Sequence, residues 1–159
     1  MKPETQTQTN HLYEHLSKLN FVQFKQFYCL FVHYRTNRHC FISQQNLFNL
    51  WCELNLLCHE SDESFPDQYD DHEAMKSFCM THPYYFIDKL PIPVIAELFA
   101  RYADDHIDVL LSAAKALYEN NLHAAYTYAN NALQLNEPID TLVTETHRHI
   151  HSFPHSFIF

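Results

Sequence analysis

Thirteen of the 159 residues are histidine, and four of them fall within the run THRHIHSFPH near the C-terminal end. Neutral imidazole is a common metal ligand, so spacing decides what such a run can hold. In an extended strand His147, His149 and His151 share one face, whereas in a helix His149 turns away from the other two. A helix therefore converges two ligands where a firm zinc site needs three or four, and surface histidines with adventitious metal affinity are the simpler account. A second set is Cys58, His59, His72, Cys79 and His82. His72 and Cys79 on one helix would stand about 10 Å apart along its axis, too far for one metal. Cys79 and His82 can converge, with Cys58 arriving from a preceding helix end, but the spacing matches no strong zinc pattern. No resident cofactor is expected.

The remaining chemistry is electrostatic. Residues 60–73 carry seven carboxylates and no Lys or Arg. The run lacks the alternating acids, central glycine and late glutamate of a calcium loop. It reads either as a solvated loop or as a contact surface for a basic protein, with Asp62, Glu63, Asp67, Asp70 and Asp71 as the contact residues. Phe157 and Phe159 in the terminal FIF either dock on the core or wait for a partner. No local signature pairs a nucleophile with its base, so a non-catalytic protein is the expectation.

The elements that must carry these residues are helical. Residues 1–9 are polar and are expected to be disordered, ahead of a single helical domain over 10–159. Leu12, Leu16 and Leu19 open a pattern that continues through Phe21, Phe24, Phe27, Tyr28 and Phe31 at three- and four-residue steps, which places an aromatic helix near the centre. Ser43 is an N-cap for a helix through Leu47, Leu50, Trp51, Leu54 and Leu57, with Ile42 and Leu47 as its staple. A third helix spans about Asp71 to Thr81. Pro83, Pro91 and Pro93 allow only a short helix and an extended crossing, and Pro93 then starts a helix through Val94, Leu98 and Tyr102. Asp105 is positioned to cap the helix that follows, and a last helix carries Ile139, Leu142, Val143, Thr146 and Ile150.

Between them, residues 107–138 form a helical hairpin. Ala113, Ala114 and Ala116 in its first half, and Ala124, Ala125, Ala129 and Ala132 in its second, let helices approach closely. Asn120 and Asn121 supply the turn, because asparagine tolerates a left-handed backbone. Ala125, Tyr128, Ala132, Leu133, Leu135 and Pro138 make this segment resemble one tetratricopeptide repeat, a family unit of about 34 residues. Ser112 and Ala113 stand where the family has a leucine and a small glycine. The resemblance implies a protein- or peptide-binding surface and no catalysis.

Composition removes several classes. Glycine is absent, where average usage would give roughly eleven. Phosphate loops, dinucleotide fingerprints and serine-hydrolase elbows all depend on glycine, and so do the tightest β-hairpins. Five cysteines with no opening signal pattern imply reduced thiols and a cytoplasmic setting. No apolar run is long enough for a membrane span. Ten Lys and Arg against nineteen Asp and Glu give a net charge of −9, which disfavours nucleic acid as a partner. A helix-turn-helix using Arg35 and Arg38 stays open as an alternative, although its second helix carries no basic residue and would present Glu53 to phosphate. The expectation is an all-α, compact bundle of six or seven helices with a repeat-like hairpin near its C-terminus. It binds another protein with a basic surface, as an inhibitor, an immunity-type protein or a phage-encoded antagonist would. A metal-binding protein using the histidine clusters is the other alternative.

Overall fold

A computed structural model describes residues 3–33, 41–61, 72–82, 84–103, 106–136 and 138–152. Every regular element among them is a helix: α1 (Pro3–Ser17), α2 (Phe21–His33), α3 (Gln44–Ser61), α4 (His72–Thr81), α5 (Tyr85–Lys89), α6 (Ile92–Tyr102), α7 (Ile107–Tyr118), α8 (Leu122–Leu133) and α9 (Ile139–Ser152). The all-α bundle holds, with nine helices among the described residues where six or seven were expected. One reason is a break inside the first apolar run. The Asn20 side chain accepts from the Gln23 backbone N–H at 2.8 Å, and the Gln23 side chain accepts from the Asn20 N–H at 3.0 Å. This reciprocal capping box starts α2 afresh and separates it from α1. α1 itself begins at Pro3, so regular helix covers the polar stretch before His11.

The aromatic helix α2 lies at the centre, packed against α5, α7 and α9. Phe24, Phe27, Phe31 and Tyr28 surround Phe99 of α6, with ring centroids 4.9 to 6.0 Å from it. Edge-to-face pairs of this kind are favourable beyond their buried area. α1 packs against α6 and α7, α8 against α7 and α9, and α3 joins through α4, α5 and α6.

The hairpin is built on the small residues. Ala113, Ala114, Ala125 and Ala129 are fully buried, and α7 and α8 pack closely. Asn120 adopts a left-handed backbone (φ 61°), and the Asn121 side chain accepts from the Ala124 N–H to cap α8. Two details differ from expectation. Tyr128, at the repeat-like aromatic position, is 45% exposed, while Tyr126 is buried. The N-cap of α7 is His106, itself left-handed and without a side-chain cap bond; Asp105 lies outside the described residues. Ser43 caps α3 through the Asn46 N–H at 3.1 Å, and Pro91 leads extended into α6 as the prolines require.

Candidate functional site

α9 is a helix, so His147 and His151 share a face, and both are exposed. His149 is exposed as well, but one edge of its ring reaches back to the segment ahead of α5. Its Nδ1 shares a hydrogen bond with the Tyr84 hydroxyl at 2.6 Å, the donor set by the ring's tautomer, and the two rings meet edge to face at 5.4 Å. Burial lowers the His149 pKa below the ordinary histidine value. Among the described residues, no group of three or more His, Cys, Asp or Glu is arranged to hold a metal ion. Cys58 and Cys79 are buried, and burial pushes the Cys79 thiol far above its usual range. Asp62, Glu63, Asp67, Asp70, Asp71, Phe157, Phe159, Arg35 and Arg38 lie outside the described residues. Glu53 accepts from the side chains of Arg101 and Tyr102.

The residues that do converge were not grouped by sequence reasoning. Lys25 of α2 and Asp88 of α5 form an ion pair at 3.5 Å with side chains only 5% and 2% exposed. The Lys25 ammonium also stands 5.4 Å from the centre of the Tyr84 ring. Beyond Tyr84 a second cluster links α2, α8 and α9. The Thr146 hydroxyl donates to the Leu142 carbonyl at 2.8 Å, the usual back-bond of a threonine inside a helix. Its proton is thus committed, so Tyr126 donates to Thr146 Oγ1 at 2.7 Å and the Cys29 thiol donates to it at 3.8 Å. Two lone pairs accept both.

The chemistry open to this network is narrow. Burial raises the Cys29 thiol, and burial followed by neighbouring Cys29, Tyr28 and Tyr126 raises Tyr84 far above the phenol range. A thiol held protonated is a poor nucleophile, and such a phenol is a poor acid near neutrality. The network fastens α9 and α5 onto α2. Its visible signal in the sequence is that Lys25 is a lone charge inside the apolar run FVQFKQFYCLF, and that Asp88, with Lys89 after it, interrupts the run PYYFI.

The surface offers a more suggestive site where α1 ends, α2 begins and α7 ends. Gln23 donates its side-chain amide to the Tyr118 carbonyl at 3.3 Å and to the Asn120 side chain at 3.0 Å. These bonds hold the first turn of α2 against the α7–α8 turn. Beside them Phe21, Val22 and Tyr118 are 46%, 54% and 54% exposed. Nearby on α1, burial and then the charges of Lys115 and Lys18 lower the His15 pKa. Large apolar residues clustered on a rigid support are what protein interfaces use as anchors.

Among the described residues, no helix is long and apolar enough to cross a membrane. No protein-family model, no curated protein and no solved structure matches the chain.

Proposed function

We propose that this chain is a non-catalytic module that binds another protein, with Phe21, Val22 and Tyr118 as its anchors. The observation that carries the reading is their exposure on a corner held by the Asn20–Gln23 capping box and the Gln23 bridge to Tyr118 and Asn120. An anchor on a fixed backbone loses little conformational entropy on binding, and that raises affinity for a given contact area. The net charge of −9 and the seven carboxylates of residues 60–73 extend the proposal to a cytoplasmic partner with a basic surface. An inhibitor, an immunity protein or a phage-encoded antagonist would act in this way.

The test compares wild type with a Phe21→Ser/Tyr118→Ser variant in cross-linked capture from the source cells, with circular dichroism confirming that the variant is folded. A protein retained by wild type and lost by the variant supports the reading; identical captures reject the corner as the interface. With the partner in hand, Asp62, Glu63, Asp67, Asp70 and Asp71 are changed to their amides. The association rate should fall and lose much of its salt dependence. An unchanged rate and salt slope would remove the acidic segment from the interface.

A further inference from the structure

Two buried polar side-chain atoms among the described residues have no hydrogen-bond partner: Trp51 Nε1 and Asn55 Oδ1. Both residues belong to α3, stand four apart and so share a face, and are 3% and 8% exposed. The indole N–H can only donate, and the amide oxygen can only accept. Folded proteins leave few such groups unpaired, because each has lost its water and gained nothing in return. A donor and an acceptor left open on consecutive turns point to a ligand that carries both.

The neighbouring row of the helix says what else that ligand carries. Phe48, Cys52 and Leu56 recur at four-residue steps beside Trp51 and Asn55; the first two are half-buried, and Leu56 is 61% exposed. None of these five side chains is charged. An anion would be repelled by the Asn55 oxygen, and a cation by the positive edge of the indole N–H. An extended, apolar peptide matches on every count. One peptide unit offers a carbonyl to Trp51 and an N–H to Asn55, while its side chains lie along the apolar row.

We propose that this face of α3 is a docking site for an extended apolar peptide segment of a partner protein, its backbone held by Trp51 and Asn55. Leu56 makes the first contact, and the two polar side chains turn outward along the row to complete it. The site rests on the protein-binding reading for the nature of its ligand, but it lies on a different helix from the Phe21–Tyr118 corner.

Trp51 is the chain's sole tryptophan, so one indole N–H signal in the nitrogen–proton spectrum of the labelled full chain reports the site. The probe is N-acetyl-leucyl-leucine N′-methylamide, compared with an analogue whose central amide is an ester. The amide should shift the indole signal saturably downfield, and the ester should bind at least tenfold more weakly. Asn55→Leu should abolish the difference between them. The Phe21→Ser/Tyr118→Ser variant should bind the probe unchanged, so either reading can fail alone. Four results overturn the proposal: no saturable shift, equal binding of amide and ester to wild type, an indole signal that moves with protein concentration alone, and a long-lived water at the indole that saturating amide does not displace. The first two use only wild-type protein and do not depend on the folding of Asn55→Leu.

Discussion

Lys25 and Asp88 offer a controlled test of what burial does to an ion pair, because the same bundle holds an exposed pair of nearly the same length. Lys25 Nζ lies 3.5 Å from the Asp88 carboxylate with both side chains almost sealed from water. Arg101 lies 3.4 Å from Glu53 with side chains 52% and 36% exposed. Distance alone would rank the two pairs equal. At an effective dielectric of about 20, the attraction in the buried pair is roughly 5 kcal/mol. The desolvation of two ions costs a comparable amount, so the net worth of the pair is small. Removing one partner is a different matter, since it leaves the other charge buried and unneutralised. Asp88→Asn or Lys25→Met should each destabilise by about 3–5 kcal/mol, a large share of a typical domain's 5–15 kcal/mol. Arg101→Ala should cost less than about 1 kcal/mol. The double variant Lys25→Met/Asp88→Asn should recover most of the loss and give a coupling energy above about 2 kcal/mol. Guanidinium unfolding at neutral pH, followed in parallel by circular dichroism and by Trp51 fluorescence, supplies all four values. If Asp88→Asn costs no more than Arg101→Ala, or if the double variant loses the sum of the singles, the reasoning from burial is wrong.

The remaining predictions concern packing, titration and backbone. Ala125→Leu should destabilise by about 1–3 kcal/mol through overpacking, and Ala132→Leu by less, because Ala125 is fully buried and Ala132 half-buried; equal melting curves for the two would remove the close α7–α8 approach. His149 has a folded pKa below its ordinary 6.5 because of burial, so its contribution is complete above that value and is lost as pH falls through the folded pKa. Melting temperatures at pH about 7.5 and about 5 should therefore diverge more for wild type than for His149→Phe, and an identical acid loss in the two would separate α9 from the effect. Gln134 is exposed and ends α8 in a left-handed conformation (φ 55°), so Gln134→Gly should stabilise by about 0.5–1 kcal/mol, the relieved strain exceeding the added chain entropy. A drop in stability on chemical denaturation would show that the strain is absent.

Much of the fold was legible because its signals are local. Ser43 caps a helix three residues ahead of the bonded N–H, Pro91 and Pro93 restrict their own backbone, and the alanines of α7 and α8 repeat within one turn. The break at Asn20 was equally local but hidden, since its capping residues, Asn20 and Gln23, are embedded in an unbroken apolar period. The corner site was harder to see. Phe21 belongs by spacing to the aromatic stripe, and only the bond from Gln23 to a carbonyl 95 residues away shows that the start of the stripe stands at the surface beside Tyr118.

The absence of glycine shows where sequence reading gives way to packing. Three described junctions need a left-handed residue, and the chain uses His106, Asn120 and Gln134. Only the asparagine could be anticipated, because its short polar side chain lowers the cost of that conformation. Histidine visits this region more often than most residues, but Gln134 has no such preference, so the packed helices must hold it there. α7 carries buried Leu110, Ala113, Ala114 and Leu117, and α8 carries Leu122, Ala125, Tyr126, Ala129 and Leu133. Burying two such faces against each other fixes where each helix must begin and end, and backbone strain of about 1–2 kcal/mol per residue is small beside it. The same logic governs the interior network. Tyr84 and His149 lie 65 residues apart, and neither carries a local mark of the other. They meet because α9 must bury Leu142, Thr146 and Ile150, and the face that buries them also turns His149 toward Tyr84.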